Sequence, residues 1–205
     1  HDQYFENGFT HIFLAMPFPA PIDSEKALRI LNPLKDIEGV TPTSLGNIVL
    51  RRAILIPSTA YAAFLLLKHP GLDLKGKRAV IIGQSPIVGS PLQLLLRELR
   101  VTMIICNSGT SLTDLQKFVS ESDIVIACAG QPEMIKGSWI KDGAIVIDIG
   151  TTEVNGKLTG DIEFEEAKKR AGYITPVPGG VGPLTVTMLM KNLSRTYHEQ
   201  ESVRK

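Results

Sequence analysis

AVIIGQSPIVGSPLQLLL, residues 79–96, decides the fold. An apolar run ends at Gly83, a turn carrying Pro86, Gly89 and Pro91 follows, and a leucine-rich stretch of strong helix formers completes it. A buried strand that passes through a glycine turn into a helix is the first crossover of a dinucleotide-binding fold, where phosphate oxygens meet amides at a helix N-terminus. The usual spacing is GxGxxG. Here Ser85 stands at the middle-glycine position and the next glycine is Gly89. The match is therefore partial, and a plain strand–turn–helix explains it too. Ser85 could offer its hydroxyl to phosphate or ribose.

The pattern continues on either side. VTMIIC (101–106), DIVIACAG (123–130) and AIVIDIG (144–150) read as strands, separated by helices over 90–100 and 111–122. Apolar β-branched runs alternating with helices mean βαβ crossovers and a parallel sheet covered on both faces. Residues 151–160 carry an Asn155-Gly156 turn and predict a hairpin. A helix over 163–171, a strand over 172–175 and a last helix over 184–200 follow. Upstream, HIFLAM (11–16) predicts a short buried strand. Asp23 or Ser24 caps a helix to Leu31, residues 32–59 read as loop-rich, and Thr59 caps the next helix.

Composition excludes several classes. Of 205 residues 43% are apolar, ample for a core, and the net charge of +1 without basic–aromatic interleaving gives nucleic acid no footing. No apolar run approaches the roughly 20 residues of a membrane span, so no membrane partner is expected. Cys106 and Cys128 end strand-like runs and read as free thiols in a reducing compartment. The four histidines share no metal-ligand spacing.

A second motif, TPVPGGVGPLT (175–185), packs three prolines and three glycines into one segment. Proline fixes φ, and glycine opens conformations closed to other residues. The segment predicts a rigid loop with bare backbone, either a binding loop or a stiff connector to the last helix. The tip of the second strand reads Cys106-Asn107-Ser108-Gly109-Thr110. NAD-selective sites place a carboxylate there. This tip has neither a carboxylate to repel a 2′-phosphate nor a cation to neutralise it, so NADP is permitted without being demanded. Asp148, at a strand end, is read chiefly as a residue that ties down a neighbouring loop, and Asp161 as a helix cap.

Taken together, GQSPIVGSP (83–91), AGQPEMIKGSWIKDGAIVIDIG (129–150), GDIEFEEA (160–167) and TPVPGGVGPLTVTMLM (175–190) resemble the bifunctional methylenetetrahydrofolate dehydrogenase/methenyltetrahydrofolate cyclohydrolase family. The resemblance implies a two-lobed α/β protein: a partial folate-binding lobe over 1–70, truncated at its N-terminus, a Rossmann-like NAD(P)-binding lobe over 71–183, and a helix over 184–205 returning to the first lobe. It implies NADP-dependent oxidation of methylenetetrahydrofolate, with NAD as the other candidate coenzyme, and hydrolysis of the methenyl product. Also implied are a homodimer and a cytoplasmic setting, with the mitochondrial matrix as the other compartment. On this resemblance Gly83, Gln84, Ser85, Ser108, Thr151 and Thr185 contact the coenzyme, and Leu14, Ala15, Met16, Glu38, Gly182 and Pro183 line the folate pocket.

Four departures from the family pattern stand out. The stretch bearing the family's Tyr and catalytic Lys is absent from this sequence, so no catalytic residue is assigned and a partial chain is expected. Ala15 replaces a Gln, Glu38 replaces an Asp, and Gln84 stands where Arg is frequent. Hydrolysis needs a positioned acid/base and suffers most, whereas hydride transfer relies on positioning. The competing function is a non-catalytic homologue that binds nucleotide or folate without turnover.

Overall fold

The computed structural model describes residues 10–15 and 18–204. Two compact units divide the chain. One holds the chain up to Ser58 together with the chain from Val186 on, and the other holds Thr59–Thr185. The breaks fall at 58/59 and 185/186, where 70 and 183 were expected. The helix after Ser58 buries Ala60, Ala62, Ala63, Phe64 and Leu67, and it is counted with the second unit.

In the first unit, α1 (Ser24–Ile30) is capped by Asp23, whose Oδ1 accepts from the amides of Glu25 and Lys26 at 2.9 and 3.2 Å. Residues 32–59 are not all loop. They contain α2 (Pro42–Val49), started by Thr41 as N-cap with Pro42 in the first turn. Proline is favoured there because its missing N–H would have no helical partner. The expected strand at 11–16 reduces to one parallel bridge, Ile12 to Asp36. Its partner segment cannot extend, because the Asp36 carboxylate draws the following chain into a turn. It accepts from the amides of Gly39 and Thr41 at 2.8 and 2.9 Å and from Ser44 Oγ at 3.1 Å. Side chains from the long C-terminal helix fasten this unit. Asn192 Nδ2 donates to the Ile56 carbonyl at 2.8 Å, and Gln200 Nε2 donates to the carbonyls of Thr10 and Leu34.

The second unit begins with α3 (Ser58–Lys68, of which Ser58 belongs to the first unit) and is built on β1 (Arg78–Ile82), β2 (Thr102–Cys106), β3 (Ile124–Ala127) and β4 (Ile145–Asp148). A hairpin of β5 (Thr152–Val154) and β6 (Lys157–Thr159) follows, and β7 (Tyr173–Ile174) closes the sheet. The order is β2-β1-β3-β4-β7, with every pair parallel. The crossover helices are α4 (Gly89–Leu96), α5 (Leu112–Glu121) and the short α6 (Phe164–Ala167). One sheet face, with Val80, Val125 and Val146, packs on Leu115 and Val119 of α5 and Ala167 of α6. The opposite face presents Ile81, Ile126 and Ile147, all at most 1% exposed. Each such side chain contributes about 1.5–3 kcal/mol on burial. This two-sided burial explains why the strands read as continuous apolar runs.

The hairpin turn forms at Asn155 and Gly156, with φ of 52° and 77°, the left-handed pair that a tight two-residue hairpin requires. The last helix, α7 (Val181–Arg204), begins earlier than expected. Gly182 and Pro183 belong to its first turn rather than to the loop, since proline needs no amide partner there. Among the described residues no helix is long and apolar enough to cross a membrane.

Candidate coenzyme site

In this strand order β1 is followed by β2 on one side and β3 on the other. Ligands of such sheets bind at the carboxyl ends of the strands beside this switch point. Gly83 sits there, at φ 116°, and its amide donates to the Cys106 carbonyl at 3.0 Å. A Cβ on Gly83 would collide with the Cys128 carbonyl of the strand alongside, and one on Gly89 would collide with the Gly83 carbonyl. Two glycines are therefore needed so that β1, β3 and α4 can close together.

Ser85 is half-buried, and its Oγ accepts from the amides of Val88 at 3.2 Å and Gly89 at 3.5 Å. Its carbonyl takes the Ser90 amide at 3.0 Å, and Pro91 has none to give. The first turn of α4 thus has its amides engaged by the chain itself, where free amides were expected from the sequence. Ser85 keeps its hydroxyl hydrogen as a donor. Gln84 is exposed, and its Oε1 accepts from Asn107 Nδ2 at 3.1 Å. Ser108 is exposed within the Asn107–Thr110 turn at the β2 tip. Gly83, Gln84, Ser85 and Ser108 therefore gather at the ends of two adjacent strands.

Thr151, Gly182, Pro183 and Thr185 gather around a cavity of ≈ 360 Å³, walled also by Asp148, Ile149 and the Pro176–Gly180 loop. That volume lies near the lower end of small-molecule sites, about 300–1,000 Å³. Thr185 Oγ1 donates to the Val181 carbonyl at 3.1 Å, and Thr151 Oγ1 to the Ile149 carbonyl at 3.5 Å. Nothing lies within 4 Å of where a Cβ on Gly182 would stand. Bare backbone at the start of a 24-residue helix suits an anionic or amide-bearing ligand.

Two buried carboxylates fix the loops nearby, and Asp148 itself lines the cavity. Asp148, 3% exposed, accepts from the amides of Asp161 at 3.1 Å and Ile162 at 3.0 Å. Burial pushes its pKa up to about 7, against the pull of those amides. Asp161, 0% exposed, accepts from the amides of Ala129 at 2.6 Å, Gly130 at 3.1 Å and Gln131 at 2.7 Å. Burial raises its pKa as well. Asp161 is thus not a helix cap but a clamp on the loop after β3. Position 163 precedes α6, and Glu163 accepts from the Gly137 amide instead. The carboxylates also explain Gly150 and Gly160, whose Cβ atoms would strike Asp161 and Asp148.

The remaining candidates lie in the first unit. Leu14 is half-buried and Ala15 exposed, and Met16 lies outside the described residues. Glu38 Oε2 accepts from Ser58 Oγ at 3.1 Å. Burial, joined by nearby Asp36, pushes its pKa up to about 7. Asp36 and Asp161 are the structural acids that sequence reasoning missed or misread. For Asp36 the signal was present: an Asp three residues before Gly39 predicts a side chain bonded to the turn backbone.

Fold and strand-end geometry define a doubly wound parallel α/β protein of the kind that holds dinucleotides at its switch point. The profile of the tetrahydrofolate dehydrogenase/cyclohydrolase NAD(P)-binding domain matches residues 57–201, and the chain belongs to that family. A bifunctional protein FolD of Geotalea uraniireducens is 46% identical over 182 residues, 88% of this chain and 64% of the relative. The chain thus spans less than two thirds of that relative's length. The crystal structure of Trypanosoma brucei N5,N10-methylenetetrahydrofolate dehydrogenase-cyclohydrolase, complexed with NADP and an inhibitor, superposes with TM-score 0.88 at 42% identity, over 96% of this chain and 68% of that one. A 5,10-methylenetetrahydrofolate dehydrogenase from the silkworm Bombyx mori gives TM-score 0.90 at 35% identity, over 96% and 70%.

Proposed function

We propose that this chain binds NADP along the carboxyl ends of β1–β4 and takes part in the oxidation of methylenetetrahydrofolate in one-carbon metabolism. The observation that carries it is the cavity where Thr151, Gly182, Pro183 and Thr185 converge beside the carboxyl end of β4, within the residues 57–201 that match this family's NAD(P)-binding domain. The bound coenzyme would supply a hydride acceptor. The chain's own residues bind and orient. Gln84, Ser85 and Ser108 hold the coenzyme's adenosine half, Thr151 and Thr185 its nicotinamide half, and Gly182 and Pro183 present bare backbone to the folate. No proton need be removed as the hydride leaves, because the product cation is shared by two nitrogens. Positioning therefore does most of the work.

Leu14, Ala15, Met16 and Glu38 are assigned to the pterin side. Near neutral pH the Glu38 carboxyl is partly protonated, so it can either donate to or accept from a pterin edge. The family resemblance pairs this oxidation with hydrolysis of the methenyl product, which needs a positioned acid/base. The same resemblance supports a homodimer acting in the cytoplasm on tetrahydrofolate derivatives.

The test is turnover of methylenetetrahydrofolate with NADP, followed by reduced-coenzyme absorbance. Turnover is expected. Saturable coenzyme binding with no oxidation at any folate concentration would establish a non-catalytic binder instead.

A further inference from the structure

Resting on the coenzyme assignment above, we propose that Gln84 and Asn107 form a charge-neutral ribose subsite that accepts NAD and NADP with similar affinity. In doubly wound folds the adenosine ribose meets the tips of the first two strands. A carboxylate there selects the free 2′-hydroxyl, and an arginine selects the 2′-phosphate. This chain has neither. The turn from Gly83 to Pro91 and the β2 tip from Cys106 to Leu112 contain no Asp, Glu, Lys or Arg. The next acid along the chain, Asp114, accepts from the Ser111 hydroxyl at 2.8 Å.

An amide pair stands in the place of the charge. Asn107 Nδ2 donates to Gln84 Oε1 at 3.1 Å, linking the two strand tips. Both partners are anchored. Asn107 Oδ1 accepts from the Gly109 amide at 2.9 Å, its own amide donates to Thr110 Oγ1 at 3.1 Å, and the Gln84 carbonyl accepts from Ser90 Oγ at 3.1 Å. Each side-chain oxygen accepts one hydrogen and keeps a second lone pair, and the pair also presents N–H: the Gln84 Nε2 group and the second hydrogen on Asn107 Nδ2. Such donors serve a hydroxyl oxygen and a phosphate oxygen alike. A 2′-phosphate adds close to two negative charges. With no cation here its Coulomb gain is small, and with no carboxylate it meets no repulsion.

Isothermal titration of the protein with NAD and with NADP, at low and at high salt, decides the matter. The two dissociation constants are expected within about tenfold of each other, with a ratio that salt leaves unchanged. Gln84→Arg should tighten NADP relative to NAD about tenfold at low salt, the worth of one charge-assisted hydrogen bond. Asn107→Asp keeps the acceptor for the Gly109 amide and should shift the NADP/NAD affinity ratio toward NAD by a similar factor. Both positions are exposed, so both variants are expected to fold, and their melting curves check this. A wild-type ratio beyond tenfold in either direction, or a Gln84→Arg protein with an unaltered NADP/NAD ratio, overturns the neutral subsite while leaving coenzyme binding intact. Saturation by neither coenzyme overturns the coenzyme assignment and the subsite with it.

Discussion

Asp161→Asn keeps the side chain's shape and removes one acceptor oxygen. In the native protein Oδ2 accepts from the amides of Ala129 and Gly130, and Oδ1 from that of Gln131, all at 2.6–3.1 Å in a residue that is 0% exposed. The asparagine oxygen can hold one side of this clamp. Its NH2 group then faces a backbone donor on the other. A buried donor left unsatisfied costs about 1–3 kcal/mol. The bonds that remain lose their charge assistance, roughly half their strength. Removing the carboxylate also removes its desolvation cost, the effect that raises its pKa, and this offsets part of the loss. The net destabilisation is about 2–3 kcal/mol. At this chain length that lowers Tm by roughly 4–12 °C. Scanning calorimetry at pH 7 measures it, with Asp161→Ala alongside. The alanine variant orphans all three amides and should melt lower still. An Asp161→Asn protein that melts within about 1 °C of the parent would refute the clamp.

Three other outcomes are expected. Ser85→Ala should weaken coenzyme binding about tenfold, with a drop of a few degrees in Tm from the lost turn contacts, while folate affinity is spared. Equal losses of both ligands would contradict the assigned role. Gly180→Val should abolish turnover while far-UV circular dichroism is retained, because a Cβ there would press on the Pro176 carbonyl and Thr175. Full activity would mean that the loop's path is unimportant. Asp148 is raised to about 7 from 3.8, so the native state keeps its proton where the unfolded chain has lost it. This contribution to stability is present below about pH 4 and is lost as pH rises through 7, on the order of a few kcal/mol in all. Asp148→Asn should flatten the decline in Tm between about pH 4 and 7, and an unchanged slope would assign the decline to other groups.

The parallel sheet was legible because two-sided burial leaves unbroken Val/Ile runs, and the hairpin because Asn155-Gly156 admits a single turn type. The strand at 11–16 was not, because an apolar hexapeptide carries no record of whether its partner is extended. That partner is bent by Asp36, which bonds to its own turn. The helix at 42–49 was overlooked although Thr41-Pro42 marks its start, since Gly46 and the surrounding prolines masked its pattern. The gathering of Thr151 and Thr185 at one cavity followed from motif knowledge. The Gln84–Asn107 link did not, since 23 residues separate its partners and only the parallel register of β1 and β2 brings them together. Asp161 was misread for the same reason. Its three amide partners lie some thirty residues upstream, beyond the reach of a local capping rule.

The most direct test of the coenzyme edge is hydrogen exchange with and without saturating NADP. Protection is expected at 83–90, 106–110, 149–151 and 176–185, at the carboxyl ends of the strands. Protection instead at the opposite end of the sheet, where Lys77, Asp123 and Lys141 border a second cavity of ≈ 190 Å³, or protection nowhere, would contradict it.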